Sequence, residues 1–475
     1  MQYITVIGLE VHCELNSKAK VFTPSANHYT DLANSAVTPG DIAMPGTLPV
    51  LNKEALKKAI KMSQCLNCEI PDEVIFDRKN YFYPDLPSSL QITQDTKPIG
   101  VKGAVTVKVN GEDKVIKINN LHLEEDTASL DHYFDYSLID YNRSAVALIE
   151  MVTEPCINDA ETAVAFLEYL RSVAKYADIS EADSKKGQIR CDVNISLMPE
   201  GASEYGTRVE VKNINSFSNV EATIHYEIKR QTELLESGRG HEIIQETRRY
   251  DDATGTTVSM RAKESATDYR YYVEPNIPVI KLDKKWVDSI KAEIPLLPDE
   301  RSALYQEKHG LSEYDANVIV REKEISDYFE ALLALGIDAK MASNWLTTMI
   351  MGYLNKYELT ISDFFVTPER LSAILSALNT NKISSKQAKE LFYKVLEEQD
   401  EPDTLMKNYG MEQMDNSDEL EAIIKTILAD NASQVEDYKN GKTNMFDYFV
   451  GQTMKATKGK ANPVKVKEIL LKELA

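Results

Sequence analysis

The chain has 475 residues, of which 43% are hydrophobic and 27% charged, and this length is too great for one core, so about three domains are expected. The formal net charge of −21 argues against a protein that coats nucleic acid by bulk electrostatic attraction. Apolar runs stay shorter than a membrane-spanning helix requires, which argues against a helical membrane protein.

The first predicted element is a strand over residues 3–15. Its apolar residues Leu9 and Val11 share one face, and Glu10 and His12 share the other. The N-terminus enters this strand without the basic, apolar and small-residue order of a signal peptide. The five cysteines are odd in number and widely spread, which favours free thiols over disulfides. We therefore expect a cytoplasmic protein.

The patterns that follow predict an α+β chain of three domains. Alternating residues predict a hairpin and strands, and helical spacing predicts three early helices. The hairpin and strands cover 104–118, 188–197 and 208–212, and the helices cover 52–68, 158–177 and 218–237. Helical patterns dominate after Pro298 and are interrupted by a polar acidic linker before residue 404. The predicted domains are a mixed one over 1–294, a helical one over 295–403 and a helical tail over 404–475.

A loop is predicted from Phe76 to Pro87, where the sequence reads FDRKNYFYPDLP. Pro84 and Pro87 are incompatible with a continuing helix or a central strand. Arg78 and Lys79 lie next to aromatic residues here, and their fork-shaped and point charges suit a phosphate or a carboxylate. The alternative is a solvated, charged turn pinned by core aromatic residues.

Several predicted strands place a carboxylate on their polar face. Four such faces could converge on a divalent cation, and carboxylates with one histidine favour Mg²⁺ or Mn²⁺ over zinc. The alternative is that these faces point to water, which is usual in antiparallel sheets. Together with Arg78, Lys79 and Arg190, a metal site would provide the groups needed for phosphoryl transfer. The candidate ligands are Glu10 with His12, Glu124 or Glu125, Glu150, and Asp192 with Asn194.

Other nucleotide and metal motifs are missing or incomplete. Gly441-Lys442-Thr443 lacks the upstream glycine of a P-loop. His12-Cys13-Glu14 and Cys65-Leu66-Asn67-Cys68 imitate the two halves of a zinc deaminase site. The second half lacks the proline of that motif, and Cys65 falls on the apolar stripe of a predicted helix. We therefore set the deaminase interpretation aside.

A set of segments gives the whole chain a family resemblance. In order, they read VIGLEVHCEL, FDRKNYFYPDLP, LHLEED, LIEMVTEP, IRCDVNISL, EVKNINSF, QETRRYD and DYRYYVEP. SNWL, SSKQAKELF and VGQTMKATKGKANP extend the match to the C-terminus. Together they resemble the B subunits of the bacterial aspartyl/glutamyl-tRNA amidotransferases, and the first two segments are the most specific.

This resemblance implies a subunit that works with an amidase A subunit and a small C subunit in a heterotrimer. The complex converts Glu-tRNA(Gln) to Gln-tRNA(Gln), and often Asp-tRNA(Asn) to Asn-tRNA(Asn). The B subunit would use ATP and Mg²⁺ or Mn²⁺ to phosphorylate the side-chain carboxylate of the misacylated residue. Ammonia made by the A subunit from glutamine would pass through a tunnel and displace the phosphate. The implied fold is a cradle-shaped mixed domain around an antiparallel sheet, then a helical domain and a small helical tail that docks on tRNA.

The resemblance also implies roles for the candidate residues. His12, Glu125 and Glu150 would hold the metal, with Glu10 and Asp192 near it.

The remaining candidates would serve the nucleotide and the reaction. Arg78 and Arg190 would lie near phosphate, and Asn194 is a further candidate for binding the nucleotide. Lys79 would lie by the tunnel mouth, and Lys79, Glu125 and Arg190 are the candidate catalytic residues.

One departure from the family concerns a four-cysteine zinc site that many members carry. Here Phe22-Thr23-Pro24 and Asp41-Ile42-Ala43-Met44 replace those cysteines. We therefore expect no structural zinc.

The C-terminal region is basic within an acidic chain. From Tyr438 to the end there are eight lysines against Asp447, Glu468 and Glu473. These lysines could contact tRNA phosphates or could be a solvated helix face. A second hypothesis for the whole chain also stays open, namely a non-catalytic scaffold that docks tRNA for the A subunit. A pure scaffold would not need the acid and histidine ligands, so those residues discriminate between the two.

Overall fold

The computed structural model describes residues 3–262, 268–411, 417–439, 442–457 and 461–474. The chain divides into two compact units, Met1–Pro298 and Asp299–Ala475. The first unit mixes strands and helices, and the second is helical, which confirms the predicted α+β class. None of the helices in the described ranges is long and apolar enough to cross a bilayer.

The strands lie in the first unit and include those predicted from alternation. The Asn110-Gly111 turn joins β4 to β5 as predicted, and both turn residues have positive φ, which suits Asn-Gly. The described strands are β1 (Tyr3–Glu14), β2 (Glu73–Asn80), β3 (Leu90–Lys97), β4 (Gly100–Val109), β5 (Glu112–Glu125), β6 (Ser129–His132), β7 (Ser137–Asp140), β8 (Ala147–Thr153), β9 (Ile189–Pro199), β10 (Val209–Ile214), β11 (Glu246–Asp251), β12 (Thr256–Ala262), β13 (Tyr272–Val273) and β14 (Ile280–Lys281).

A large sheet organises the first unit. Its strand order is β12-β11-β10-β9-β1-β8-β5-β4, and its neighbours are antiparallel except for the parallel pair β10 and β11. Strand β2 pairs with β3, β13 and β14 in a smaller sheet. Strand β1 is central and pairs with β8 on one side and β9 on the other, so the polar side chains of β1 have strand neighbours on both sides.

Helices of the first unit cover the apolar face of the large sheet. Leu9 and Val11 of β1 are buried in one core with Phe166 and Leu167, and the same core includes Ile60. The predicted helices begin at side-chain caps, as in the bond from Glu54 N–H to the Asn52 side chain and from Thr162 N–H to that of Asp159. The helices are α1 (Lys53–Cys65), α2 (Ala160–Tyr176), α3 (Phe217–Glu236) and α4 (Lys284–Ala292).

The second unit contains two hydrophobic cores. The first core ends with Leu405, Met406 and Met411, and the second runs from Leu420 to Leu474. The helices are α5 (Pro298–His309), α6 (Glu313–Val320), α7 (Lys323–Ala334), α8 (Ala339–Trp345), α9 (Met351–Tyr357), α10 (Pro368–Asn379), α11 (Ser385–Glu398), α12 (Pro402–Asn408), α13 (Ser417–Asp430), α14 (Ala432–Lys439), α15 (Asn444–Ala456) and α16 (Pro463–Leu474).

Helix α12 crosses the boundary that was predicted between the helical domain and its tail at residue 403. Its Leu405 and Met406 are buried with α10 and α11, so α12 packs with the preceding helices. A truncation that respects the packing therefore falls after Met411.

The predicted loop from Phe76 to Pro87 is wrong in its first half. Strand β2 extends through Asn80, and only the residues after it form an irregular segment. The two prolines lie beyond the strand, so they do not interrupt its pairing with β3. Arg78 and Lys79 are therefore strand residues whose side chains point to opposite faces.

Candidate functional site

The site begins with the register around β1. Across the β1–β8 pair His12 is opposite Glu150, and across the β1–β9 pair Glu10 is opposite Asp192. On the far side of β8, His122 of β5 is also opposite Glu150. The apolar residues between these positions face the core, so alternation collects the polar side chains on the other face of the sheet.

Five of these side chains form a carboxylate–histidine cluster. His12 Nε2 lies 3.2 Å from Glu150 Oε2 and 3.9 Å from Glu10 Oε1. His122 Nε2 lies 3.5 Å from both Glu124 Oε2 and Glu150 Oε2. The cluster thus contains two groups, Glu10 with His12 and His122 with Glu124, and Glu150 belongs to both.

The cluster has the donor atoms of a divalent-cation site. Within each group the ligand atoms lie within 4.8 Å of one another. Three carboxylates with two imidazoles suit Mg²⁺ or Mn²⁺, since carboxylate oxygens are the preferred ligands of both. The residues present therefore fit such an ion.

The charges of the cluster are strongly coupled. Burial alone would lower the pKa of both histidines, but the neighbouring carboxylates outweigh it and raise the pKa of His12 to about 9 and of His122 to about 10. Burial would raise the pKa of Glu150, but the two histidines hold it well below its usual value. Burial and the charge of Glu150 raise the pKa of Glu10. The attraction between the histidines and the carboxylates thus opposes the cost of burying them.

Four members of the cluster, Glu10, His12, Glu124 and Glu150, line a cavity of about 350 Å³, which we call the cluster cavity; His122 is not part of its lining. Its cationic side chains are Lys79, Arg190 and Lys212, all placed around the acids. Burial would lower the pKa of Lys79, but the charges of Glu124 and Glu150 keep it above its usual value. Phosphate groups entering this cavity would meet three cations.

Asp126 fixes the position of Arg190 in this cavity. Arg190 Nη2 donates to Asp126 Oδ2 at 2.7 Å, and Arg143 Nε lies 3.6 Å from the same oxygen. Burial would raise the pKa of Asp126, but the two arginines hold it below its usual value. A fixed guanidinium loses less conformational freedom when it binds an anion.

Not all predicted residues come together here. Glu10, His12, Glu150, Asp192, Lys79 and Arg190 all line the cluster cavity. Asn194 lies one alternation beyond Asp192 on β9 and is not among the residues that line it.

The structure places Glu125 and Arg78 away from the cluster. Both line a separate cavity of about 250 Å³. Strand alternation turns Glu125 to the opposite face from Glu124, where the Ile92 N–H donates to its carboxylate at 2.8 Å and burial raises its pKa to about 8. Arg78 forms a bidentate ion pair with Glu274, whose side chain is 1% exposed.

Three further residues were not identified from the sequence, namely His122, Asp126 and Lys212. For His122 a signal existed, because His122 and Glu124 are two apart in LHLEED and must share a face of a strand. Lys212 donates to Asp192 at 2.6 Å, and that pairing depends on strands that are distant in sequence.

The segment that replaces the zinc-binding cysteines of the family forms a hydrogen-bonded network around buried Asp41. Its carboxylate accepts bonds from the hydroxyls of Thr23 and Ser25 and from Thr38 N–H at 2.7 Å. Lys20, fully buried, places Nζ 3.5 Å from it. Hydroxyls and a lysine are not structural zinc ligands. Elsewhere, the thiols of Cys13 and Cys191 are buried, and Cys191 is among the residues that line the cluster cavity.

Known proteins resemble this chain over its full length. The profile of the family described as the GatB/GatE catalytic domain matches residues 5–288, and that of the family described as the GatB domain matches residues 327–474. Three relatives are named as the B subunit of an aspartyl/glutamyl-tRNA(Asn/Gln) amidotransferase. Those of Geobacillus thermodenitrificans and Geobacillus kaustophilus are each 46% identical over 475 residues, and that of Oceanobacillus iheyensis is 45% identical. Each alignment covers 100% of this chain and 99% of the relative.

Proposed function

Because this chain belongs to the family of aspartyl/glutamyl-tRNA(Asn/Gln) amidotransferase B subunits, as its sequence motifs predicted, we propose that the cluster cavity activates the carboxylate that is to be amidated. The chain is one subunit of a multi-subunit tRNA amidotransferase. The proposed substrates are ATP and the side-chain carboxylate of Glu-tRNA(Gln), Asp-tRNA(Asn) or both.

The proposed reaction has two steps. A carboxylate oxygen attacks the γ-phosphorus of ATP, the bond to the bridging oxygen of ADP breaks, and an acyl phosphate forms. Ammonia then attacks the carbonyl carbon, the carbon–oxygen bond to phosphate breaks, and the amide and inorganic phosphate are released. Activation is needed because a carboxylate is a poor acyl donor and an acyl phosphate is a good one.

The observation that carries this proposal is the carboxylate–histidine cluster among cationic side chains. Mg²⁺ or Mn²⁺ held by Glu10, His12 and Glu150, with His122 and Glu124 beside them, would offset phosphate charge and orient the transferring group. Arg190, held by Asp126, and Lys212 would bind phosphate oxygens.

Lys79 has a distinct place in this proposal. Its ammonium lies 4.9 Å from the centroid of the Tyr269 ring and 5.7 Å from that of Tyr81, so aromatic faces confine it. It would stabilise the negative charge of the attacking carboxylate and the transferring phosphoryl group. Its place by the mouth of an ammonia tunnel follows from the resemblance to the family.

The proposed partners are an amidase A subunit, which supplies ammonia from glutamine, a small C subunit, and the misacylated tRNA. Four lysines of the tail, Lys442, Lys455, Lys465 and Lys467, are proposed to contact tRNA phosphates. Lys458 and Lys460 lie outside the described residues.

The experiment that tests the proposed function is transfer of a radiolabelled γ-phosphate from ATP in the reconstituted complex, with and without Glu-tRNA(Gln). We expect transfer that depends on the aminoacyl-tRNA and is lost in Glu150→Gln. If the wild-type complex amidates the tRNA and the complex with Glu150→Gln retains normal ATP turnover, the scaffold hypothesis is supported instead.

A further inference from the structure

A second cavity shares a wall with the cluster cavity. It has a volume of about 340 Å³ and is lined by Gln94, Asn119 and Asn120, for which we call it the amide cavity. Lys79, Glu124 and Glu150 line both cavities. Two ligands bound in these cavities would therefore meet at the same three side chains.

Gln94, in the wall of the amide cavity, has a buried hydrogen-bond donor without a partner. Its side chain is 3% exposed, and no described residue accepts a hydrogen bond from its Nε2. The orientation of the amide is fixed because Leu123 N–H donates to its Oε1 at 2.9 Å, so the group left without a partner is the NH₂ group. A buried donor without a partner is costly, so this group calls for an acceptor on a ligand.

The other lining residues arrange polarity along the cavity. Gln94 is buried on the inside, whereas Asp95 and Tyr271 are exposed and therefore lie at the mouth. Apolar surface is contributed by Val101 and Val152. The cavity thus combines amide groups, an apolar wall and an outer carboxylate with charged groups of both signs, since Lys79 and His122 line it as well as Glu124 and Glu150.

We propose that the amide cavity binds the aminoacyl group, with its side-chain carboxylate at Gln94 and Lys79, while the cluster cavity binds the phosphates of ATP. This assignment rests on the proposed function and specifies where its two substrates lie. The methylene groups of a glutamyl or aspartyl side chain would pack on Val101 and Val152. The α-amino group would lie near Asp95 at the mouth, where the ester linkage leads out to the tRNA.

The assignment follows from complementarity. An amino acid esterified through its α-carboxyl retains one carboxylate and one amine, and the cavity offers donors to the first and an acceptor to the second. Because Lys79, Glu124 and Glu150 line both cavities, the carboxylate and the phosphoryl donor would lie next to the same three side chains.

The test compares two variants of Gln94 in the reconstituted complex. Gln94→Glu keeps the acceptor for Leu123 N–H and loses the donor, whereas Gln94→Leu loses both. An effect that both variants show is therefore caused by the loss of the donor. The matched control is Gln231→Leu, since Gln231 is also buried but lies on α3, where it donates to Glu227. Thermal unfolding and Mn²⁺ binding of each variant establish that the fold and the cluster are retained.

We expect both Gln94 variants to raise the KM for Glu-tRNA(Gln) about tenfold or more, because a hydrogen bond to a charged group is lost. The KM for ATP should stay within about twofold of the wild type, as should both KM values of Gln231→Leu. A rise in the KM for ATP alone, or unchanged KM values in folded Gln94 variants, would overturn the assignment. If the wild-type complex transfers no γ-phosphate, the proposed function has failed, and that result is separate from any effect of Gln94.

A second readout concerns the mouth of the cavity. Asp95→Asn should raise the KM for Glu-tRNA(Gln) but have little effect on the KM for N-acetyl-Glu-tRNA(Gln), which has no basic amine. Equal effects of Asp95→Asn on the two substrates would contradict the predicted contact with the α-amino group.

Discussion

Arg78 and Lys79 are neighbours in the chain, yet their side chains lie in different cavities. Lys79 lines the cluster cavity and the amide cavity, and Arg78 lines the cavity that contains Glu125. The cause is strand β2, because successive side chains of a strand point to opposite faces. The two cations are therefore expected to have different roles.

Replacing each of the two by methionine should separate these roles. Lys79→Met should lower kcat for tRNA-dependent ATP hydrolysis by about a hundredfold, because a cation facing the reacting groups is lost, with little change in stability. Arg78→Met leaves the buried carboxylate of Glu274 without its partner and should cost about 3 kcal/mol of unfolding free energy. Urea denaturation and steady-state kinetics on both variants check this. A stable Arg78→Met protein with lost activity would contradict the separation.

Glu124 and Glu125 provide a matched pair for the metal site. Glu124 belongs to the cluster, and Thr93 Oγ1 donates to its carboxylate at 2.9 Å, whereas Glu125 faces the other side of β5. Glu124→Gln should weaken Mn²⁺ binding by about tenfold or more, since one charged ligand becomes neutral. Glu125→Gln should leave Mn²⁺ affinity within about threefold of the wild type. Titration calorimetry decides, and the reverse order would support the assignment of Glu125 that the family resemblance implied.

We expect no zinc in the purified protein, because an ion pair and hydroxyl groups around Asp41 hold together the segment where the family resemblance would place a zinc site. Asp41→Ala should destabilise the fold by about 3 kcal/mol, since it leaves the fully buried Lys20 without its counter-charge. Burial lowers the pKa of Lys20 and Asp41 opposes this, so the variant lysine should lose its proton more readily. Elemental analysis showing one zinc per chain would refute the first expectation, and an unchanged unfolding midpoint the second.

Removing the residues after Met411 should raise the KM for aminoacyl-tRNA and spare the tRNA-independent glutaminase activity of the complex. The cut leaves the first helical core intact and removes the second. If the tail lysines contact phosphates, exchanging Lys442, Lys455, Lys465 and Lys467 for glutamine should lower the salt slope of binding by about 0.9 for each phosphate that is no longer neutralised.

Lys386 and Lys389 of α11 offer a control for the tail lysines, because both are exposed and lie in the same unit. Their exchange for glutamine tests whether any loss of positive charge weakens binding. An unchanged KM and salt slope after truncation would show that the tail lysines serve solubility alone.

The sequence predicted elements with strict periodicity and failed where long-range pairing decides. Strand β1 and helix α2 follow their apolar patterns, and both were predicted to within a few residues. The prolines after Tyr81 suggested a loop at Arg78, because nothing local shows that β2 pairs with β3 before the chain turns. The choice between Glu124 and Glu125 required knowing which of the two side chains lies on the same face of the sheet as Glu150 of β8. That depends on the register of strands that are distant in sequence.

The central claim is that the carboxylate oxygen is transferred to phosphate through an acyl phosphate formed at the cluster. Glu-tRNA(Gln) labelled with heavy oxygen in the side-chain carboxylate tests it directly in the reconstituted complex with ATP, Mg²⁺ and glutamine. The account predicts that the released inorganic phosphate carries one labelled oxygen per amide formed, and that Glu150→Gln abolishes both products. Amide formation with unlabelled phosphate would contradict it, because the carboxylate would then have been amidated without phosphorylation.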